Sequence, residues 1–348
     1  MKRTPVSLLI LALFVIACGT EPTPTPDALA TQISVDKAAQ ATMTAEVPTP
    51  KETSMPTNAP ADKPTTPPTF TPADTPKPTT PPTFTPTDTP KPTVQPSQDR
   101  NTQTRSQDGM IMVYVPAGEF TMGSADNDAD AWDEEKPQHT VSLDAFWIDK
   151  TEVTNAQYRQ CVKAGTCTAP TSKSSYTLNG YYGNSRFGNY PVIYVNWNQA
   201  RAYCQWAGAR LPTEAEWEKA ARGTDGREYP WGDTAPDCSR ANFWGRDGGC
   251  VGDTSRVDKY PAGASPYGAL NMAGNVWEWV NDWWDPEYYS RSPAANPQGP
   301  ESGRAHILRG GAWGYDRGSI RAAYRLGYVA SGADFYVGFH CACSVSEP

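Results

Sequence analysis

The sequence predicts an α+β domain with much irregular structure, carried at the end of a long unfolded segment. Composition splits near residue 108: 20 of the 34 prolines precede it, whereas all 12 tryptophans and 27 of the 28 glycines follow it. Within the later part, three segments carry helix-start and helix-stop residues. Around them lie short alternating apolar runs and long stretches rich in Gly, Pro and aromatic residues, which read as strands and loops. Residues 1–107 hold nine Lys/Arg against nine Asp/Glu, so the whole formal charge of −8 belongs to the remaining 241 residues. A net-acidic domain of that size can bury one large core, but it lacks the basic footprint that neutralises phosphates. Nucleic acid is therefore excluded as a ligand.

The chain opens MKRTPVSLLILALFVIACGT. Lys2 and Arg3 precede an apolar run from Val6 to Ala17, too short for a membrane-spanning helix, which needs about 20 residues. Residues 1–17 form an export signal. The segment Val15-Ile16-Ala17-Cys18 is similar to a bacterial lipobox, which implies cleavage before Cys18, lipidation of that cysteine and anchoring at the outer side of a cell membrane. An ordinary signal peptide cut nearby gives the same extracytoplasmic destination without the anchor.

Residues 18–107 are mostly Thr, Pro, Ala, Asp and Lys, with almost nothing to bury. PTTPPTFTPADTPK, from Pro64 to Lys77, recurs from Pro78 to Lys91 with one difference. Such a segment cannot offset its ordering entropy and reads as a disordered, partly polyproline-II linker. A Pro-rich ligand for a partner domain and O-glycosylated threonines are the alternative uses of the same composition.

Residues 108–348 form the domain. Met110, Met112 and Tyr114, then Phe120 and Met122, alternate around Pro116-Ala117-Gly118 and predict a β-hairpin. HTVSLDAFWIDKTEVT supplies another strand stretch. Thr154-Asn155-Ala156-Gln157 is a capping box that opens a helix through Val162. A second helix spans about Trp197 to Ala207 and stops at Gly208. A third begins at Leu211-Pro212-Thr213-Glu214 with a second capping box and ends at Gly223.

VYVPAGEFTMGS, DAFWIDKTEVTNAQY, PVIYVNWNQARAYCQWAGARLPTEAEWEKAARG, YPWGD, YGALNMAGNVWEWVNDWW, LRGGAW and GFHCA run in order from Met110 to Cys343. This succession resembles the signature blocks of the formylglycine-generating enzyme, or sulfatase-modifying factor, family. The resemblance implies a C-type-lectin-like fold. It also implies an oxidase that converts the cysteine of a Cys-x-Pro-x-Arg sulfatase motif to formylglycine, using oxygen and copper(I) held by two thiolates, ligands that suit a soft ion. Here, however, Ala312 stands at the family's active-site Ser position, and Tyr315 and Ile320 stand at its two copper Cys positions. No cysteine occurs between Cys250 and Cys341. The expectation is a member without the copper site, serving as a binding module for a protein, peptide or glycan. A formylglycine-generating oxidase with a divergent active site is the rival reading. His139, His306 and His340 are scattered without metal-ligand spacing and read as structural.

Setting Cys18 aside, Cys161 with Cys167 and Cys238 with Cys250 bracket short loops and read as local disulfides, which fits an oxidising compartment. The resemblance pairs Cys204 with Cys341. Cys343 is left as a free thiol, an alternative partner of Cys204 or a reactive group. The resemblance also implies a structural calcium ion on Asn271, Gly274, Val276 and Glu278, through amide, carbonyl and carboxylate oxygens of the hard type Ca²⁺ prefers. A second family set keeps Asn242 and Phe243 but has Gly249 at its Asp position. Asp126 to Glu135 begin like an EF-hand loop, yet Ala131 and Pro137 stand where Gly and Glu are required, leaving a solvated acidic loop. Trp283, Trp284, Trp313 and Tyr315, with Arg309, Arg317, Arg321 and Arg325, are the candidate lining of a ligand groove at the vacated catalytic position, suited to an acidic ligand. Buried Arg pairs in a core would look the same.

Overall fold

The computed structural model describes residues 101–245 and 248–345. The export signal, Cys18 and the repeats of the linker lie outside the described residues. Among those residues, no helix is long and apolar enough to cross a membrane.

The first strand, β1 (Thr102–Thr104), lies six residues ahead of the boundary that composition suggests. It pairs with β2 (Ile111–Val115), and β2 pairs in turn with β5 (Phe146–Asp149). Every side chain of Thr-Gln-Thr is exposed, so this edge strand has the composition of a linker. What ties it in is buried charge. Arg105 places Nη1 2.7 Å from Asp149 Oδ1 and Nη2 2.7 Å from Asp108 Oδ2, and the Tyr203 hydroxyl donates to Asp108 at 2.6 Å. The folded domain therefore includes residues ahead of the expected boundary at 108.

The hairpin expected over residues 110–122 does not form. Strand β3 (Gly118–Met122) turns away from β2 and pairs with β4 (His139–Leu143) as a separate two-stranded sheet. The turn carbonyls of Pro116 and Gly118 are taken by the buried Lys219 ammonium at 2.9 and 2.7 Å, so they are satisfied from a helix rather than across a hairpin. HTVSLDAFWID likewise divides into β4 and β5, which belong to different sheets. A four-stranded antiparallel sheet is completed by β12 (Ala342–Ser344), in the order β1-β2-β5-β12. The other four-stranded sheet has β8 (Trp277–Trp283) and β9 (His306–Arg309) at its centre. On its flanks are β10 (Arg325–Tyr328) and the parallel β11 (Val337–Gly338).

The three helices form where the sequence predicts them, two from their capping boxes and one over about Trp197 to Ala207. Helix α1 (Asn155–Lys163) starts at Thr154, α2 (Trp197–Trp206) at Asn196 and α3 (Glu214–Arg222) at Thr213, each with a complete capping box. Such a cap satisfies two orphan backbone donors at once. Pro212 sits one residue before the α3 cap, outside the helix. All nine residues of α3 are buried although five are charged. Burial of so many charges is tolerated only with partners. Glu218 pairs with Arg222 and Arg309, Glu214 with Arg325, and Glu216 with Arg210.

The cysteine pairs expected from sequence are all bonded: Cys161–Cys167, Cys204–Cys341 and Cys238–Cys250. The second joins α2, in the middle of the domain, to the entry of β12 near its C-terminal end, and both cysteines lie in one core cluster.

Candidate functional site

The Gly310-Gly311 turn positions the block of interest. Both glycines have positive φ, and a Cβ on Gly311 would stand 2.6 Å from Ile320 Cγ2 and from the Ser319 carbonyl, so only glycine fits. Ala312, Trp313 and Ile320 have no exposed surface, and Tyr315 is buried. The Tyr315 ring meets Trp277 edge-on at 5.2 Å and Tyr336 at 5.6 Å. Ile320 packs in a cluster with Tyr229, Ala241, Phe243 and Ala273. The three positions are thus filled with packed core, and neither Tyr315 nor Ile320 offers a thiolate.

The surface beside this block is concave. Trp244 donates its backbone N–H to the Tyr315 carbonyl at 2.8 Å. Trp244, 45% exposed, lines a cavity of about 680 Å³ together with Pro236, Cys238, Phe243 and Arg317. Two smaller hollows of about 230 and 270 Å³ continue from it, sharing Arg317 and Pro236 at one end, and Asp130, Glu228 and Arg321 between them. Together they form a groove running from Trp244 to Ser124 and Gln138.

Most of the side chains expected to line a ligand groove do not do so. Arg321 is held bidentately by Glu135, Arg325 by Glu214, and Arg309 by Glu218 and three backbone carbonyls. Arg325 also lies over the Trp284 ring at 4.8 Å. Trp283 stacks on His306, whose other face stacks on Trp197. Trp313 is fully buried. These are the core Arg pairs that sequence alone could not distinguish from a binding cluster. Only Arg317 of the set is exposed on the groove. Arg222 and Arg321 also border it but are buried, and the other charges that reach its surface are acidic, among them Asp130, Glu228 and Asp233. The wall therefore does not suit the acidic ligand that the arginines suggested. The acidic stretch from Asp126 is also not wholly solvated: Glu135 is buried, accepting from Ser124 Oγ at 2.7 Å and from Arg321.

The profile of the sulfatase-modifying factor enzyme 1-like domain matches residues 96–345. The chain belongs to the sulfatase-modifying factor family. It is 39% identical over 294 residues to the formylglycine-generating enzyme of Streptomyces coelicolor, covering 70% of this chain and 90% of that enzyme. It is 34% identical over 245 residues to the hercynine oxygenase of Mycolicibacterium smegmatis, covering 61% of this chain and 56% of that protein. Among solved structures it is similar to PvdO from Pseudomonas aeruginosa, with a TM-score of 0.60 and 27% identity over 70% of this chain and 98% of that one. It is also similar to Treponema denticola variable protein 1, with a TM-score of 0.55 and 25% identity over the same shares. The fold is the C-type-lectin-like fold of this family.

The family's calcium block forms a tight buried turn. Asn271 and Asn275 adopt positive φ, and a Cβ on Gly274 would stand 2.4 Å from the Asn242 carbonyl. Asn271 Nδ2 donates to Glu152 Oε2 at 2.6 Å and Asn275 Nδ2 to Glu152 Oε1 at 2.7 Å. Sequence reading passed over Glu152. It follows Asp149 and Lys150 at the exit of β5, where no local pattern sets it apart, and burial pushes its carboxyl up to about 7. Glu278 Oε2 accepts from Trp217 Nε1 and faces His340 Nδ1, both at 2.7 Å, while its Oε1 is buried without a donor. Val276 is fully buried beside it. An orphaned, buried carboxylate oxygen is of the hard type that a Ca²⁺ ion takes, so the residues present fit the ion. Among the described residues no group of three or more His, Cys, Asp or Glu is placed to hold a metal; a set with one carboxylate is not of that kind. The second set fits poorly. Asn242 Oδ1 is buried without a donor, but the Phe243 carbonyl is taken by the Cys250 amide at 3.0 Å and Gly249 has no side chain to contribute.

Each histidine has a structural place. His139 packs on Tyr289, His306 lies between two tryptophans, and His340 rests on Glu278. Cys343 is the one described cysteine outside a disulfide. It is half-buried on β12 across from Trp147, and burial pushes its thiol up.

Proposed function

We propose that this chain is a ligand-binding member of the sulfatase-modifying factor family without copper oxidase chemistry. In this reading it is exported, lipid-anchored through Cys18 and held away from the membrane by its Pro/Thr-rich linker. The observation that carries the reading is the packed state of Ala312, Tyr315 and Ile320, which leaves no pair of thiolates at the family's copper position. Binding falls to the groove beside it. A half-exposed Trp244 and the carboxylates of Asp130, Glu228 and Asp233 suit a protein or peptide segment with apolar and basic side chains. Calcium bound by Asn271, Gly274, Val276 and Glu278 would be structural, bringing positive charge to the orphaned Glu278 oxygen and rigidifying the turn that supports β8.

The rival reading, a formylglycine-generating oxidase, is favoured by the 39% identity to the Streptomyces coelicolor enzyme. The two are separated by incubating the purified protein with copper, reductant, oxygen and a Cys-x-Pro-x-Arg peptide, with aldehyde read by mass spectrometry. The binding reading expects no more aldehyde than a protein-free copper control. Turnover above that control, lost in Cys343→Ala, would overturn it and put a relocated copper site at the C-terminal strand.

A further inference from the structure

The three disulfides differ sharply in where they sit. Cys161, Cys204 and Cys341 have no exposed surface and Cys167 almost none, whereas Cys238 is exposed and Cys250 only half-buried. Cys238 itself lines the 680 Å³ cavity, and so do Phe243, Trp244, Gly245 and Gly248, which lie between the two cysteines in sequence. One wall of the groove is thus a loop closed by the one accessible disulfide.

The wall is anchored at Asn242, whose carbonyl takes the Asn275 amide at 2.8 Å, and at Phe243, which packs with Tyr229 and Ile320; beyond Phe243 the described contacts are few. Strands β6 (Trp244–Gly245) and β7 (Gly248–Gly249) pair over two residues each, a ladder too short to persist alone. The Cys250 amide bonds the Phe243 carbonyl at 3.0 Å, and the Trp244 amide bonds Tyr315. The Trp244 ring lies against Gly249, where a Cβ would be 3.0 Å from the ring, so the exposed aromatic leans on the residue next to Cys250.

We propose that Cys238–Cys250 is a redox modification site whose state sets the shape of the groove. This rests on the groove being the ligand site for its consequence, though not for its chemistry. The co-substrate is a dithiol reductant. One of its thiolates attacks the Cys238 sulfur, breaking the S–S bond and releasing Cys250 as a thiolate. Its second thiolate then attacks the mixed disulfide and releases Cys238. Two electrons pass from the dithiol to the cystine, the reductant leaves as its own disulfide, and the two cysteines are protonated according to their pKa values. Once opened, the part of the wall beyond Phe243 is left, among the described residues, with its short ladder and the Tyr315 contact, and Trp244 loses its backing.

The test uses the detergent-solubilised full-length protein, graded dithiothreitol, iodoacetamide trapping and peptide mass spectrometry, followed by amide hydrogen exchange. Cys238 and Cys250 should become alkylated at dithiothreitol concentrations at least tenfold below those needed for the other two pairs. On reduction, the amides of Trp244 and Cys250 should exchange at least tenfold faster, while those of α2 stay unchanged. The double variant Cys238→Ser/Cys250→Ser should show the same exchange pattern without reductant. Reduction of all three pairs at one concentration, or unchanged exchange at Trp244 and Cys250, overturns the proposal. If the variant does not fold, the reduced wild-type protein decides alone. Neither readout needs a groove ligand, so failure here leaves the binding reading standing, and aldehyde turnover would leave this site standing.

Discussion

Arg321 reaches Glu135 across 186 residues of sequence through two parallel N–H···O contacts of 2.7 and 2.8 Å. The pair is buried on both sides, so it pins the acidic 126–135 stretch to the segment between β9 and β10 rather than presenting a cation to a ligand. Removing one partner of a buried pair leaves an uncompensated charge, which costs about 3–5 kcal/mol. Arg321→Ala should therefore lower stability by that order in urea denaturation. Arg317→Ala, on the exposed rim, should change it by less than about 0.5 kcal/mol. Equal effects of the two would show that the division between structural and groove arginines is drawn in the wrong place.

The disulfides should rank in stability by the loops they close. Cys204–Cys341 spans 137 residues and Cys161–Cys167 spans 6. Chain-entropy scaling gives about 5 kcal/mol for the first and about 2 for the second. Double serine variants of each pair, compared by denaturant midpoint, should show the larger loss for Cys204/Cys341. The reverse order would point to strain or residual unfolded-state structure in place of loop closure.

Calcium, if it is bound by the Asn271 to Glu278 turn, should raise the thermal midpoint, since a ligand at 100 times its Kd adds about 2.7 kcal/mol to the folded state. Glu278→Gln should remove that increment, because the neutral amide keeps the shape while giving up the charge. Scanning calorimetry in calcium and then in EGTA reads the difference. Identical midpoints for the wild-type protein would exclude a structural ion at this turn.

Cys18→Ala should shift the protein from the membrane fraction to the soluble extracytoplasmic fraction and lower the mass of the mature N-terminal peptide by the lipid. An unchanged distribution would mean that the chain is held at the membrane by something other than lipidation.

The helices were legible because their caps are local. Thr154 with Gln157 and Thr213 with Glu216 satisfy their own backbone donors, so four residues suffice to recognise those two starts; Asn196 with Gln199 forms the same box at α2, though that helix was placed without it. Strand partners were not legible in the same way. Val115 and Gly118 are three residues apart, yet their strands pair with β5 and β4, and the reason lies in Lys219, a hundred residues on. The fold itself came through the ordered family blocks, not through periodicity. At the candidate site, Ala312, Tyr315 and Ile320 could be read directly as a missing thiolate pair. The charge of the groove could not, because Arg309, Arg321 and Arg325 are neutralised by Glu218, Glu135 and Glu214, partners that only the fold brings near.

The pH dependence of stability should carry the mark of Asp282. This buried carboxyl accepts the Glu214 amide at 2.9 Å, and burial, with the nearby Glu214 and Glu216, pushes it up to about 8, against the opposing pull of Arg325. In the unfolded chain it returns to the ordinary value of 3.8. Between those values the folded protein holds a proton that the unfolded chain has released. Stability from this group therefore falls as pH rises through that window, by at most about 1.4 kcal/mol per pH unit. Asp282→Asn keeps an oxygen for the Glu214 amide and cannot ionise. Its thermal midpoint relative to wild type should rise from pH 5 to pH 8 and level off above. His306, lowered to about 4 by burial between its two tryptophans, titrates only below this range once folded, but its unfolded form releases its proton near 6.5 in both proteins and cancels in the comparison. An advantage of the Asn variant that is flat or shrinks with pH would show that Asp282 is ionised in the folded protein.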